Sequence, residues 1–173
     1  MDAINGVPIE KYAQLCALMA ETGGDVSKEN AIAAEHGVSA EDWSAAKAGW
    51  LAKMQDPSDM GKTAMAFMLA MQAAQDQARG GKEPGSLEDY AIIHAEMAYK
   101  KDENGNQIDY MKVLADHGYT QPKWIEMENY WTPRTSKDPT KPEFHHKYNE
   151  QDAYKFKVMI QDETNRILGI KGL

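Results

Sequence analysis

Ala34-Glu35-His36-Gly37-Val38-Ser39 is answered later in the chain by Ala115-Asp116-His117-Gly118-Tyr119-Thr120, and this pair of hexapeptides decides the fold. Each reads as the last turn of one helix, a glycine suited to the left-handed cap position, and a hydroxyl residue that opens the next helix. The register between them is a shift of 81 positions, and it also carries Trp43 onto Trp124, Trp50 onto Trp131 and Lys53 onto Arg134. Upstream, Ile9-Glu10-Lys11-Tyr12-Ala13 meets Leu87-Glu88-Asp89-Tyr90-Ala91 at a shift of 78, and Met19-Ala20 meets Met97-Ala98 in the same register. Ordered matches with small indels, including two pairs of tryptophans, predict an internal duplication.

Working outward, each half reads as four helices. Ile9, Tyr12, Ala13, Cys16, Met19 and Ala20 recur at three- and four-residue spacing, one apolar stripe on a first helix. Ser86 opens the equivalent helix like a capping box, with Asp89 in place of the usual Glu. Gly23-Gly24 is expected to stop the first helix, and Asp102-Glu103-Asn104-Gly105-Asn106 to form a polar turn in the second half. A short helix follows in each half, then a third that carries both tryptophans on one face. Pro57 and Pro133 are expected at its end or at a break near it. A longer fourth helix carries Met60, Ala64, Phe67, Met68, Met71 and Ala74 in the first half. Ala153, Phe156, Ile160 and Ile167 form its stripe in the second. Sustained alternation of apolar and polar residues is absent, so no strand is expected. The predicted architecture is all-α: two tandem divergent helical repeats of about 80 residues, 1–79 and 87–173, joined by a glycine-rich linker at 80–86 and packed as one compact bundle.

Composition narrows the classes of function. The chain has 173 residues, a formal charge of −8 and a single cysteine, Cys16. One cysteine excludes an internal disulfide and a thiolate metal cluster. The acidic balance argues against nucleic acid and anionic lipid, because phosphate binding needs clustered Lys and Arg. The N-terminal Met1-Asp2-Ala3-Ile4-Asn5-Gly6 has neither a basic start nor an apolar core of the secretory type. The richest apolar run, 60–74, is too short to span a bilayer. A cytoplasmic protein is expected.

Chemistry-bearing motifs are few. The Gly37 turn with its flanking helices has the spacing of a helix-turn-helix, which makes a DNA-binding regulator one alternative. Its second helix, however, opens with Ala40-Glu41-Asp42 and offers only Lys47 before Trp50, a poor set for a DNA groove. The matched His36 and His117 make a metal-binding protein another alternative, but each is expected to sit at a helix C-terminus, where an imidazole favours the helix dipole. His94 replaces Cys16 on an apolar stripe and reads as a core histidine. Glu126 and Glu128 read as a solvated face. No G-x-S-x-G, Walker or G-x-G-x-x-G motif is present, and Cys16 lies on a buried stripe where a thiol is inert. No enzyme, metal or cofactor is predicted.

The residues Gly6-Val7, Glu10, Tyr12-Ala13, then Gly37-Val38-Ser39 with Trp43, then Trp50, Lys53 and Met54 form a pattern that resembles a bacterial all-helical tandem-repeat domain family of uncharacterised function. The second half keeps Glu88, Tyr90, Ala91, Gly118, Trp124, Trp131 and Arg134, with Tyr119 and Thr135 replacing the Val and the Met. The resemblance implies a bacterial source and a helical fold, and it implies no activity.

What remains is a protein-interaction module, an acidic adaptor or immunity-type inhibitor whose partner is a more basic protein. The stretch from Tyr130 to Tyr154 is aromatic, rich in Thr, Pro and Lys, and without a close match in the first half. Tyr130, Trp131, Phe144, Tyr148 and Tyr154 are the predicted partner-binding residues.

Overall fold

The computed structural model describes residues 1–170. Those residues form eight α-helices and two 3-10 turns, with no named strand among them. The chain divides into two units, Met1–Lys82 and Glu83–Leu173.

In the first unit, α1 (Ile9–Leu18), α2 (Val26–Glu35) and α3 (Ala40–Gln55) precede a 3-10 turn at Pro57–Asp59 and α4 (Lys62–Ala78). Local chemistry sets each start. Asp25 Oδ1 accepts from the backbone N–H of Ser27 and Lys28 at 3.0 and 3.2 Å, and Ser39 Oγ accepts from Asp42 N–H at 3.1 Å. These bonds satisfy amides that the first helical turn leaves without partners. At the end of α2, Gly37 adopts φ +74°, so that Val38 N–H reaches Ala33 O at 2.9 Å and Gly37 N–H reaches Ala34 O at 3.0 Å. This paired closure needs a left-handed residue, a conformation open to glycine without steric penalty. The core gathers Val7, Ile9, Tyr12, Leu15, Met19, Trp43, Ala46 and Trp50, with Phe67 of α4 packed against it. Trp50 is wholly buried and its indole N–H donates to Val7 O at 3.1 Å, tying α3 to the segment before α1.

The second unit runs α5 (Leu87–Tyr99), α6 (Tyr110–Asp116), α7 (Gln121–Thr135), a 3-10 turn at Pro142–Lys147 and α8 (Glu150–Leu168). Ser86 Oγ caps α5 at 3.0 Å from Asp89 N–H, and Thr120 Oγ1 caps α7 at 3.4 Å from Lys123 N–H. Gly118, at φ +75°, closes α6 as Gly37 closes α2, with Tyr119 N–H on Leu114 O at 2.9 Å. The core holds Leu87, Tyr90, Ile93, Val113, Leu114, Trp124, Met127 and Trp131. Trp131 N–H donates to Gly85 O at 3.0 Å, so the tail of the glycine-rich stretch read as linker is fastened into this unit.

Several expectations differ from what is observed. Helix α1 ends at Leu18, before Gly23-Gly24, because Met19 and Thr22 already turn the chain through backbone bonds at 2.9 Å. Met60 is not on the α4 stripe. It sits at φ +52° before the helix, 76% exposed, and Asp59 Oδ2 takes the Thr63 amide at 2.6 Å. The remaining predicted α4 stripe is half-buried, and Thr63 and Gln72 are the residues of that helix that are fully buried. Pro133 lies inside α7, which runs two residues further to Thr135. No helix among the described residues is long and apolar enough to cross a membrane.

Candidate protein-interaction surface

The segment that leaves α7 is folded by its own polar side chains. Asp138 Oδ1 accepts from the Thr140 amide at 2.9 Å and the Thr140 hydroxyl at 2.6 Å. Those bonds hold the Asp138 carboxyl below the usual carboxylate range. His145 Nε2 meets Asp138 O at 2.7 Å, which brings the 3-10 turn back toward the end of α7. The Asn149 amide then donates to Arg134 O at 2.9 Å, and the Asn149 side chain caps α8 through Gln151 and Asp152 at 2.9 and 3.1 Å. The start of α8 is thereby set against the end of α7.

Between these elements lies an open groove of about 420 Å³. Ala153, Phe156 and Ile160 of α8 share one face at three- and four-residue spacing and line it together with Tyr148, Tyr154, Thr135, Glu150 and Lys157. Tyr154 stands 69% exposed at its edge. Cations accompany the aromatic rings: Lys137 Nζ lies 4.4 Å over Tyr148, and the Arg134 guanidinium 3.6 Å over Tyr130.

The five predicted partner-binding residues therefore separate. Tyr148 and Tyr154 line the groove, and Tyr130 lies half-buried under Arg134. Trp131 and Phe144 are 3% and 6% exposed and pack inward, so neither ring is presented to a partner. The reason is the helix period: Trp131 follows Trp124 by seven residues and takes the same inward face of α7.

Charge near the groove is mixed in sign. From 134 to 157 there are six basic side chains (Arg134, Lys137, Lys141, Lys147, Lys155, Lys157) and four acidic ones (Asp138, Glu143, Glu150, Asp152), in a chain of net −8. That segment is locally basic, while the groove lining itself holds one charge of each sign, Lys157 and Glu150.

Three polar clusters were not legible in the sequence. On α5 and α7, His94 Nε2 lies 2.7 Å from Glu128 Oε1, and Tyr90 shares a hydrogen bond of 2.9 Å with Thr132 Oγ1. The His94 ring is surrounded by Tyr90, Trp124 and Phe156 at centroid distances of 4.5, 5.2 and 5.9 Å. Glu128 stands beside His94, but His94 Nε2 is buried and makes no hydrogen bond, and both side chains are about one-third exposed. Burial drives the Tyr90 phenol upward. The second cluster centres on Glu96, which is buried and meets Lys100 at 2.8 Å, His117 Nε2 at 3.0 Å and Arg166 at 3.8 Å. Burial alone would raise its carboxyl, but the hydrogen bonds and charges of Lys100 and His117 outweigh that and hold it low. His117 closes α6 as expected, and it also serves this carboxylate. The third cluster is in the first unit, where Glu29 Oε2 receives Lys47 at 2.6 Å and the Trp43 indole N–H at 3.3 Å. Nearby Cys16 is pushed up to about 11 by burial, the hydrogen bond from Tyr12 working in the other direction.

Of the lysines on the second helix of each glycine turn, Lys47 is engaged with Glu29 at 2.6 Å and Lys123 with Glu126 at 2.9 Å. Among the described residues no three His, Cys, Asp or Glu side chains converge as a metal site would require. No protein-family model matches the chain, and no curated protein or solved structure matches it either.

Proposed function

We propose that this protein is a non-enzymatic protein-interaction module built from two divergent copies of one helical unit, and that its contact surface is the groove beside α8. The groove carries this reading: an apolar floor, two tyrosines at the wall and edge, and cations beside the rings form the mixture that protein contacts use. The duplication is supported by the matched tryptophan bonds to the backbone ahead of α1 and α5, and by the identical closures at Gly37 and Gly118. The second copy has gained the aromatic segment, and with it a surface that the first copy's sequence does not carry. The experiment is capture of partners by the full-length protein and by a Tyr148→Ser/Tyr154→Ser variant. A stoichiometric protein retained by the parent and lost by the variant is expected. A partner bound equally by both would place the contact surface elsewhere.

A further inference from the structure

We infer that the groove beside α8 takes an acidic peptide segment bearing one large apolar side chain, an inference that rests on the interaction reading above and names its partner's chemistry. Two features of the groove lead there. Its floor, Phe156, Ile160 and Ala153, is apolar and open, with room for an anchoring aromatic or leucine side chain. Two lysines stand at or beside its margin, against one carboxylate. Lys157 lines the groove, is exposed and forms no ion pair within 4 Å among the described residues; Lys137 is exposed and lies against the Tyr148 ring.

One carboxylate, Glu150, also faces the groove. It stands in the first turn of α8, where the helix N-terminus offsets part of its charge. An occupant with Asp or Glu beside its anchor meets Lys137 and Lys157 favourably. One with Lys or Arg there meets like charge, which selects against it. The local field thus favours partners opposite in character to those that the net charge of −8 would attract at long range.

The test is selection of random dodecapeptides displayed on phage against the full-length protein, with counter-selection on Tyr154→Ser. That side chain is exposed, so its loss leaves the core intact. The expected result is a set of Tyr154-dependent binders with net negative charge around a single Trp, Phe or Leu. Their affinity should fall as salt is raised, and by about tenfold in a Lys137→Glu/Lys157→Glu variant. Tyr154-dependent binders of neutral or positive charge would overturn the acidic occupant and leave the groove as a docking surface. Failure to recover any Tyr154-dependent binder would overturn both.

Discussion

Replacing Trp131 by phenylalanine isolates the contact that fastens the head of the second unit. The indole is 3% exposed and donates to Gly85 O at 3.0 Å, so the substitution removes one buried hydrogen bond. Loss of such a bond costs about 1 kcal/mol. Phenylalanine is also roughly 40 Å³ smaller, and a cavity of that size adds about 1 kcal/mol at the usual penalty per unit volume. The sum, roughly 2 kcal/mol, corresponds to a fall of about 4–8 °C in Tm for a chain of this length. Urea unfolding followed by far-UV circular dichroism is the suitable assay, because tryptophan fluorescence would change with the substitution itself. Trp50→Phe is the internal comparison. Its acceptor, Val7 O, also receives the Ile4 amide at 3.2 Å, so the carbonyl keeps a partner and the loss should be smaller. A loss below about 0.5 kcal/mol for Trp131→Phe would refute the fastening role, because neither the bond nor the volume would then be contributing as its burial requires.

Two further outcomes follow from the same reasoning. The Glu29 carboxyl is held below its ordinary value chiefly by the Lys47 hydrogen bond, with the Trp43 N–H assisting against the opposing effect of burial. A lowered carboxyl contributes stability above its unfolded pKa and loses it as pH falls through the folded value. Glu29→Gln should therefore cost roughly 1–2 kcal/mol at neutral pH and almost nothing in acid below both values, as read by urea midpoints across pH; a pH-independent difference would contradict the pairing. Gly118→Ala forces a Cβ into φ +75° with no neighbouring atom within 4 Å, so the expected loss of about 1–2 kcal/mol is backbone strain alone. A neutral result in thermal unfolding would mean that the α6 closure relaxes.

Helix type and helix starts were readable because they depend on neighbours in sequence. A Ser or Thr at an N-cap bonds an amide three residues ahead, and the φ of a glycine answers to its own missing Cβ, so Ser39, Ser86, Thr120, Gly37 and Gly118 could be assigned by sight. That the tryptophans of α3 and of α7 share one face was readable for a related reason: two residues seven apart lie on one side of any helix. The start of α4 was the exception: Met60 carries an apolar side chain in helical register, yet Asp59 and Gly61 place it outside the helix.

The candidate site divides along the same line. Composition marked 130–154 as unlike the rest of the chain, and Tyr148 and Tyr154 do line the groove. Composition could not separate them from Trp131 and Phe144, because burial is decided by which face meets the core. The meetings of His94 with Glu128, of Glu96 with His117 and Arg166, and of Glu29 with Lys47 join residues 18 to 70 positions apart. Such pairs follow from how helices pack, a non-local property, and local patterning holds no record of them. The sequence by itself determined helices, caps and which residues share a helix face, through short-range sterics and hydrogen bonding. Only the tertiary structure decided which charges meet, which aromatic rings stay exposed, and which of them line a groove.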